Sequence, residues 1–342
     1  MESRPWLCVI RIVGAALAAT LMLHSAAIEK PAGKEAASLL TEACLNPDNE
    51  RVSAATREGD YTQALALGQA AVKQLKDRGV ADCRLAVALG NLGTSNFNLG
   101  NYVTAEQQMN TARRIWENQG LIGQPGLVRS LANLMALYVD CGEYGKAKAA
   151  ADRIIVIPMG QQFSAVDRVL VLNNVARLHE SMSNFGDAES VYAEAITTLE
   201  VGGLASSRVM AIVLNNRGSL MFKRHRYQEA GSDFTDALSI LDARVESTHP
   251  AMVEPLVNMA HAEIHAKRYI PAAVLLARAL QITTLHPVDS PRERQILSCY
   301  ATVLRRLHRK DEARSADRRA KELPATADVN RRALASTVDF RF

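Results

Sequence analysis

Aromatic residues are scarce in this chain of 342 residues, and its apolar content comes largely from small and aliphatic side chains. Phe, Trp and Tyr make up 5% of the sequence, and alanine and leucine are abundant. Alanine and leucine are strong helix formers, whereas β-sandwiches draw on aromatic and β-branched residues. The formal net charge of +4 is too small to indicate a nucleic-acid ligand. These features favour an all-α protein of closely packed helices.

Motifs of catalytic and metal sites are missing as well. The chain has no G-x-S-x-G elbow, Walker loop or G-x-G-x-x-G, and its five cysteines form no C-x-x-C pair. His261 and His265 share a helix face, but Glu263 points about 200° away from each and cannot serve as the base of a zinc protease. The sequence therefore predicts no enzyme, no cofactor and no metal site.

The apolar run near the N-terminus is too short to span a bilayer. Residues 12–23 follow two arginines, and a transmembrane helix needs about 20 apolar residues. Ser25 and Ala27 then supply small residues at the spacing that a signal peptidase recognises. The sequence predicts a cleaved export signal over residues 1–27 and a periplasmic or secreted protein. The alternatives are a buried first helix and an anchor that stays uncleaved.

A spacing of 41 or 42 residues runs through the rest of the chain. Its anchor is an aromatic residue with alanine three positions later, and the aromatic residues are Tyr61, Tyr102, Tyr144, Phe185, Tyr227 and Tyr269. A seventh copy keeps Ala313 but begins with Lys310. Apolar residues before each anchor and small residues after it recur at intervals of three and four positions. This is the spacing of one face of a helix, so each copy is predicted to contain two helices. Glycine-containing turns, such as Gly100-Asn101, join the helices in the early copies.

This period predicts the architecture. A single helix pair cannot bury its own apolar faces, but stacked pairs can. We therefore expect an all-α, right-handed α-solenoid of about seven helix-turn-helix repeats over residues 47–322, with degenerate repeats at both ends. Residues 28–46 are then an N-terminal capping segment. Residues 323–342 are expected to form a tail that is partly extended or disordered.

The repeat resembles a known family. Gly-Asn-Tyr-x-x-Ala at residues 100–105 and the small residues at the helix crossings resemble tetratricopeptide repeats. The period near 42, the Leu-Asn-Asn of the first helix and Ala-Glu-x-x-Tyr-x-x-Ala at residues 188–195 resemble the kinesin light chain-like subclass. The resemblance implies a superhelix that binds other proteins, but the family has no single function.

Cysteine positions in the repeats suggest one disulfide. Cys44 and Cys83 each precede the first helix of a repeat by a similar offset, and an oxidising compartment would permit a bridge between them. The alternative is that both are free, buried thiols.

Asparagine occupies one helical position in five consecutive copies. Eleven residues before the anchor stand Asn91, Asn133, Asn174, Asn216 and Asn258, which we call the asparagine column. Asparagine is a mediocre helix former, so its recurrence needs a cause. One interpretation is that each amide bonds to the adjacent repeat and fixes the stacking. The other, which the family resemblance implies, is a ladder that grips the main chain of an extended peptide.

Basic residues follow the column in the later copies. Three and seven positions beyond it stand Arg177, Lys223, His261, His265 and Arg306. We expect a groove that favours an acidic partner segment or a free C-terminus at its C-terminal end, unless these are ordinary charges of a solvated face.

Together these features predict a non-catalytic protein-protein interaction module that binds an extended peptide along its concave groove. The alternative is a structural scaffold that assembles an envelope or secreted complex through its outer helix faces, with the asparagine column serving repeat stacking. Neither interpretation involves nucleic acid or a membrane span after signal cleavage.

Overall fold

The computed structural model describes Cys44 and residues 47–120, 124–160, 162–286 and 290–323. All regular structure in this part of the chain is helical, and fourteen α-helices follow one another. They are α1 (Pro47–Glu58), α2 (Tyr61–Asp77), α3 (Cys83–Asn98), α4 (Tyr102–Glu117), α5 (Gln124–Asp140), α6 (Tyr144–Ile155), α7 (Ala165–Ser181), α8 (Phe185–Val201), α9 (Arg208–Lys223), α10 (Tyr227–Asp242), α11 (Val253–His265), α12 (Tyr269–Leu285), α13 (Ser290–Arg306) and α14 (Lys310–Glu322). A short 3-10 helix, Pro250–Met252, precedes α11.

The helices form seven consecutive pairs, and the two helices of each pair pack against each other. The anchor residue is the first residue of the second helix in every pair, from Tyr61 in α2 to Lys310 in α14. The sequence period is therefore the period of the helix pairs. The predicted all-α solenoid of repeats is confirmed.

Each pair turns at one residue with a positive φ, two positions before the anchor. In the first three pairs it is a glycine, with φ of 79°, 78° and 72° at Gly59, Gly100 and Gly142. The last four pairs place residues with a Cβ in the same left-handed region, at Ser183, His225, Lys267 and His308. Such residues are strained there. The packing of the two helices therefore imposes the turn even where the sequence offers no glycine.

Serine side chains begin the first helices of the fourth and fifth repeats. Ser164 accepts from the backbone N–H of Asp167, whose carboxylate accepts from the backbone N–H of Ser164, which is a capping box. Ser207 accepts from the backbone N–H of Met210 at the start of α9. These bonds satisfy N–H groups that have no partner within the helix.

Small residues let the paired helices approach closely. The alanine three positions after the anchor is at most 1% exposed in all seven copies, namely Ala64, Ala105, Ala147, Ala188, Ala230, Ala272 and Ala313. A Cβ added to Gly93 would lie 2.8 Å from the Met109 side chain, and one added to Gly218 would lie 2.6 Å from the Phe234 ring. Larger residues at these crossings would push the helices apart.

The first helices lie on the inner side of the array. Most consecutive first helices contact one another, as α5 contacts α7 and α9 contacts α11, whereas consecutive second helices of the described chain make at most slight contact. In a curved stack the elements at the smaller radius are the closer ones, so the first helices form the concave face. None of the described helices combines the length and the apolar character that a membrane crossing requires.

A disulfide fastens the N-terminal end of the array. Cys44 is bonded to Cys83, the first residue of α3, and their Cα atoms are 5.3 Å apart. Among the described residues the free thiols are Cys141 and Cys299, and burial raises the pKa of each to about 11, so neither is poised to react. The predicted export signal, the capping segment apart from Cys44, and the tail from residue 324 lie outside the described residues.

Candidate protein-binding face

Most of the asparagine column is bonded to the preceding repeat. Asn91 donates from its amide nitrogen to the hydroxyl of Ser53 at 3.1 Å, and Asn174 donates to the backbone carbonyl of Ala132 at 2.8 Å. Asn174 is only 3% exposed, and an unpaired amide at such a site would be costly. The bonds join the first helices of neighbouring repeats, so the column has the stacking role that was one of its two interpretations.

The recurrence of Leu-Asn-Asn has the same physical cause. Asn216 donates to the amide oxygen of Asn173 at 2.8 Å, and Asn258 donates to the amide oxygen of Asn215 at 2.9 Å. The first asparagine of each pair thus accepts from the second asparagine one repeat later. In the third repeat the first position of the pair is Ala132, which has no amide side chain. Asn174 of the next repeat therefore donates to the backbone carbonyl of Ala132 instead.

Asn133 differs from the other members of the column. Its side chain makes no hydrogen bond to a described neighbouring repeat, and it is partly exposed on the first-helix face. Asn91, Asn216 and Asn258 are partly exposed too, and each uses its nitrogen for stacking. Because an amide group both donates and accepts, their oxygens remain as acceptors.

Two of the predicted basic residues are held in ion pairs between repeats. Arg177 pairs with Asp140, whose carboxylate raises the pKa of Arg177. The amine of Lys223 lies 2.7 Å from a carboxylate oxygen of Glu180, which also accepts a 3.3 Å hydrogen bond from the hydroxyl of Tyr192. These acids neutralise the two cations, so Arg177 and Lys223 form part of the stacking network.

The other predicted basic residues differ among themselves. Burial, with a smaller effect from the Arg292 charge, lowers the pKa of His261 to about 4, so His261 is neutral near pH 7. The His265 ring stacks on Tyr227 with ring centres 3.6 Å apart. Arg306 is exposed near the C-terminal end of α13. The five residues therefore do not form one uniformly positive surface.

A partly buried ion pair that sequence reasoning missed joins α9 to α10. Arg217 stands where most copies have an apolar residue, and its guanidinium donates to both carboxylate oxygens of Asp233 at 2.9 and 2.5 Å. Asp233 is 4% exposed. The only sequence signal was the interruption of the apolar stripe at Arg217. Within the described residues no cluster of three His, Cys, Asp or Glu side chains can hold a metal ion.

Neither a protein-family model nor a curated protein matches the sequence of the chain. Solved structures share its fold. BtubC (BKLC) from P. vanneervenii superposes with a TM-score of 0.55 at 17% identity, over 67% of this chain and 95% of that chain. A chain of the APC/C Cut9-Hcn1 hetero-tetramer superposes with a TM-score of 0.54 at 16% identity, over 90% of this chain and 49% of that one. At these identities the likeness establishes the fold, an α-solenoid of helix pairs, and nothing finer.

Proposed function

We propose that this chain is a non-catalytic protein-interaction module that holds an extended segment of a partner along the concave face of its first helices. The observation that carries the proposal is the row of partly exposed amides at Asn91, Asn133, Asn216 and Asn258. Amide oxygens at repeated positions can accept N–H groups of a partner's main chain without reading its sequence. In this proposal most amide nitrogens of the asparagine column bond to the preceding repeat, and the amide oxygens bind the partner.

We propose in addition that the C-terminal end of the face prefers an acidic side chain or a free carboxylate. Arg306 is exposed there and offers a fork of donors that matches a carboxylate. Arg177 and Lys223 contribute only if a partner's carboxylate replaces Asp140 or Glu180. A charge-assisted hydrogen bond adds about 1.5–3 kcal/mol, so several are needed for micromolar binding.

A second candidate function is a scaffold that docks partners on its outer helix faces, and one helix favours it. On α12, Ile270 is 70% exposed and Val274 is 64% exposed. The equivalent residues of the preceding second helix, α10, are Gln228 and Ser232. Adjacent exposed apolar side chains on one helix are typical of protein-contact surfaces.

Export to an oxidising compartment remains part of the proposal. The disulfide between Cys44 and Cys83 supports it, because such bonds persist outside the reducing cytosol. Mass spectrometry of the protein from its native host would test both points. A mature N-terminus at residue 28 and a bridged pair are expected, and a chain that keeps residues 1–27 with reduced cysteines would contradict export.

A peptide-display selection on the purified chain separates the two functions. If the concave face binds, selected peptides lose affinity for N91A/N133A and keep it for the α12 variant I270D/V274D, with Q228D/S232D as the matched outer control. If the outer face is the working surface, no peptide depends on the column. In that case I270D/V274D abolishes partner capture while Q228D/S232D does not.

A further inference from the structure

One backbone carbonyl of the first repeat is held by two side chains from much later repeats. The carbonyl of Arg57, in the last turn of α1, accepts from the guanidinium of Arg208 at 2.6 Å and from Nε2 of His249 at 2.6 Å. The donors lie 151 and 192 residues along the chain. Carbonyls in the last turn of a helix have no partner within it and carry the negative end of the helix dipole, so a cation and an N–H donor suit this position.

The backbone beside this carbonyl is in close contact with the same distant repeats. Gly59 has φ of 79°, and a Cβ there would lie 2.5–3.0 Å from ring atoms of Pro250. Tyr61 is partly buried in this region: burial raises its pKa, and the nearby Arg208 charge lowers it. Glycine is therefore required at position 59 both for the turn and for the approach of Pro250.

The hydrogen bonds around His249 fix its tautomer. Its Nδ1 accepts from the backbone N–H of Ala251 at 3.0 Å, so Nε2 carries the proton that it donates to Arg57. Burial lowers the pKa of His249. The charges of Arg208 and His286 lower it as well, while the bond to Arg57 and the charge of Glu246 raise it. The contact is therefore made by the neutral ring.

These contacts close the solenoid on itself. The turn of the first repeat, residues 57–61, meets the start of the fifth repeat at Arg208 and the entrance to the sixth at His249 and Pro250. One superhelical turn is thus complete between them. A closed turn is open only along its axis, so the middle of a partner's chain cannot enter from the side.

We propose that the contact of Arg57 and Gly59 with Arg208, His249 and Pro250 is a latch, and that its opening admits a partner segment sideways onto the concave face. The role in admission depends on the proposed function, whereas the latch itself does not. The closing surface consists of two hydrogen bonds and the approach of Pro250, and it is small compared with the packing between neighbouring helices, so it can open without unfolding them.

Distance measurements test the latch without any partner. Spin labels at T62C and S206C, two exposed sites on either side of the contact, would be measured in a C141A/C299A background. The parent should give one short distance, and R208A/H249A should give a longer, broader distribution. R168A is the matched control, because Arg168 donates to a local backbone carbonyl, that of Gly160, at 2.8 Å. An unchanged distribution in R208A/H249A, or a long one in the parent, would overturn the proposal.

Chemical labelling tests admission to the concave face. In the same C141A/C299A background, N133C on the concave face would react with N-ethylmaleimide and with a maleimide on a 5 kDa polyethylene glycol chain. The large reagent should reach N133C only when the latch is open, whereas the small reagent is less affected. Because R208A/H249A should increase the population of the open state, the ratio of the large-reagent rate to the small-reagent rate should rise about tenfold. T235C, exposed on the outer helix α10, should not change. An unchanged ratio at N133C would refute gating.

The pH dependence gives a further check on His249. Protonation at Nδ1 would remove the acceptor for the backbone N–H of Ala251, so the closed latch binds the neutral ring. The pKa of His249 is therefore higher in the open state than in the closed one. The population of the open state should increase as the pH falls below about 6.5. H249Q can donate to Arg57 at every pH and should abolish the shift in label distance. A shift that persists in H249Q would assign the effect to another group. If the latch opens as described and no peptide binds, the proposed function fails and the latch stands.

Discussion

Repeats one to three and repeats four to seven build the same turn from different residues. The first three turns have glycine at the left-handed position, while the last four have Ser183, His225, Lys267 and His308. The φ values differ by no more than about 20°, from 59° to 79°. A shared conformation without a shared residue means that the turn is set by the helices on either side, which bury the same alanine seam in all seven repeats.

The two regions also differ in polar chemistry. All seven histidines of the described chain lie at or beyond His179, and the partly buried pair of Arg217 with Asp233 is in the later region. In the earlier region the core of the first repeat is a separate small cluster of Val52, Ala55 and Ala64. Glycine turns and the disulfide are therefore features of the first repeats, whereas the histidines and the Arg217–Asp233 pair are features of the later ones.

The largest effect is expected from breaking the partly buried ion pair of the later region. R217A leaves the Asp233 carboxylate without its guanidinium, which should lower the free energy of unfolding by about 2–3 kcal/mol. Chemical denaturation would measure it. The matched control is R305A, because Arg305 pairs with Asp317 across α13 and α14 at an exposed site and should contribute at most about 1 kcal/mol. Equal losses in the two variants would contradict the distinction.

A smaller effect is expected from placing a side chain in a glycine turn of the earlier region. G142A should cost about 1–2 kcal/mol, because alanine is strained at a φ of 72°. G145A is a control in the same repeat, since its added Cβ meets nothing within 4 Å and its φ is not positive. If G142A were neutral in denaturant titrations, the turn would be more adaptable than its φ suggests.

The smallest effect, with the opposite sign, is expected from adding glycine to the later region. S183G and K267G each relieve the strain of a side chain in the left-handed region, which stabilises the folded state. Glycine also gives the unfolded chain more freedom, which offsets part of this gain. A net stabilisation of about 0.5–1 kcal/mol is therefore expected. A destabilisation in both variants would show that Ser183 and Lys267 contribute contacts that outweigh the strain. Melting temperatures of the two single variants and the double variant would decide this.

The fold was predictable because its signal is periodic and local. A 42-residue spacing of aromatic and alanine residues fixes where each second helix begins, and every anchor does begin one. Repeat register suggested the pairing of Cys44 with Cys83 as one of two interpretations, and the structure contains this disulfide. The sequence also showed which helical position the asparagine column occupies. It did not show that one asparagine of a Leu-Asn-Asn donates and the other accepts, because that depends on the distance between stacked repeats.

Other features depend on contacts that no local pattern encodes. Nothing near Arg57 indicates that its carbonyl meets Arg208 and His249, because the curvature accumulated over four repeats brings them together. Likewise, Glu180 was not expected to neutralise Lys223, since it stands outside the positions that the repeat pattern marked. Sequence register places residues along a helix, and three-dimensional packing decides which charges remain available for a partner.

The most direct test of the account compares Asn133 with Asn174 in binding and in stability. A peptide selected on the parent chain would be titrated against N133A and N174A by calorimetry, with melting curves recorded for all three. We expect N133A to bind about tenfold more weakly and to melt like the parent, since it removes a contact to the partner and no stacking bond. N174A should melt at a lower temperature, because it removes a buried hydrogen bond between two repeats. If N133A binds as tightly as the parent, the column serves only stacking, and the concave face is not the binding surface.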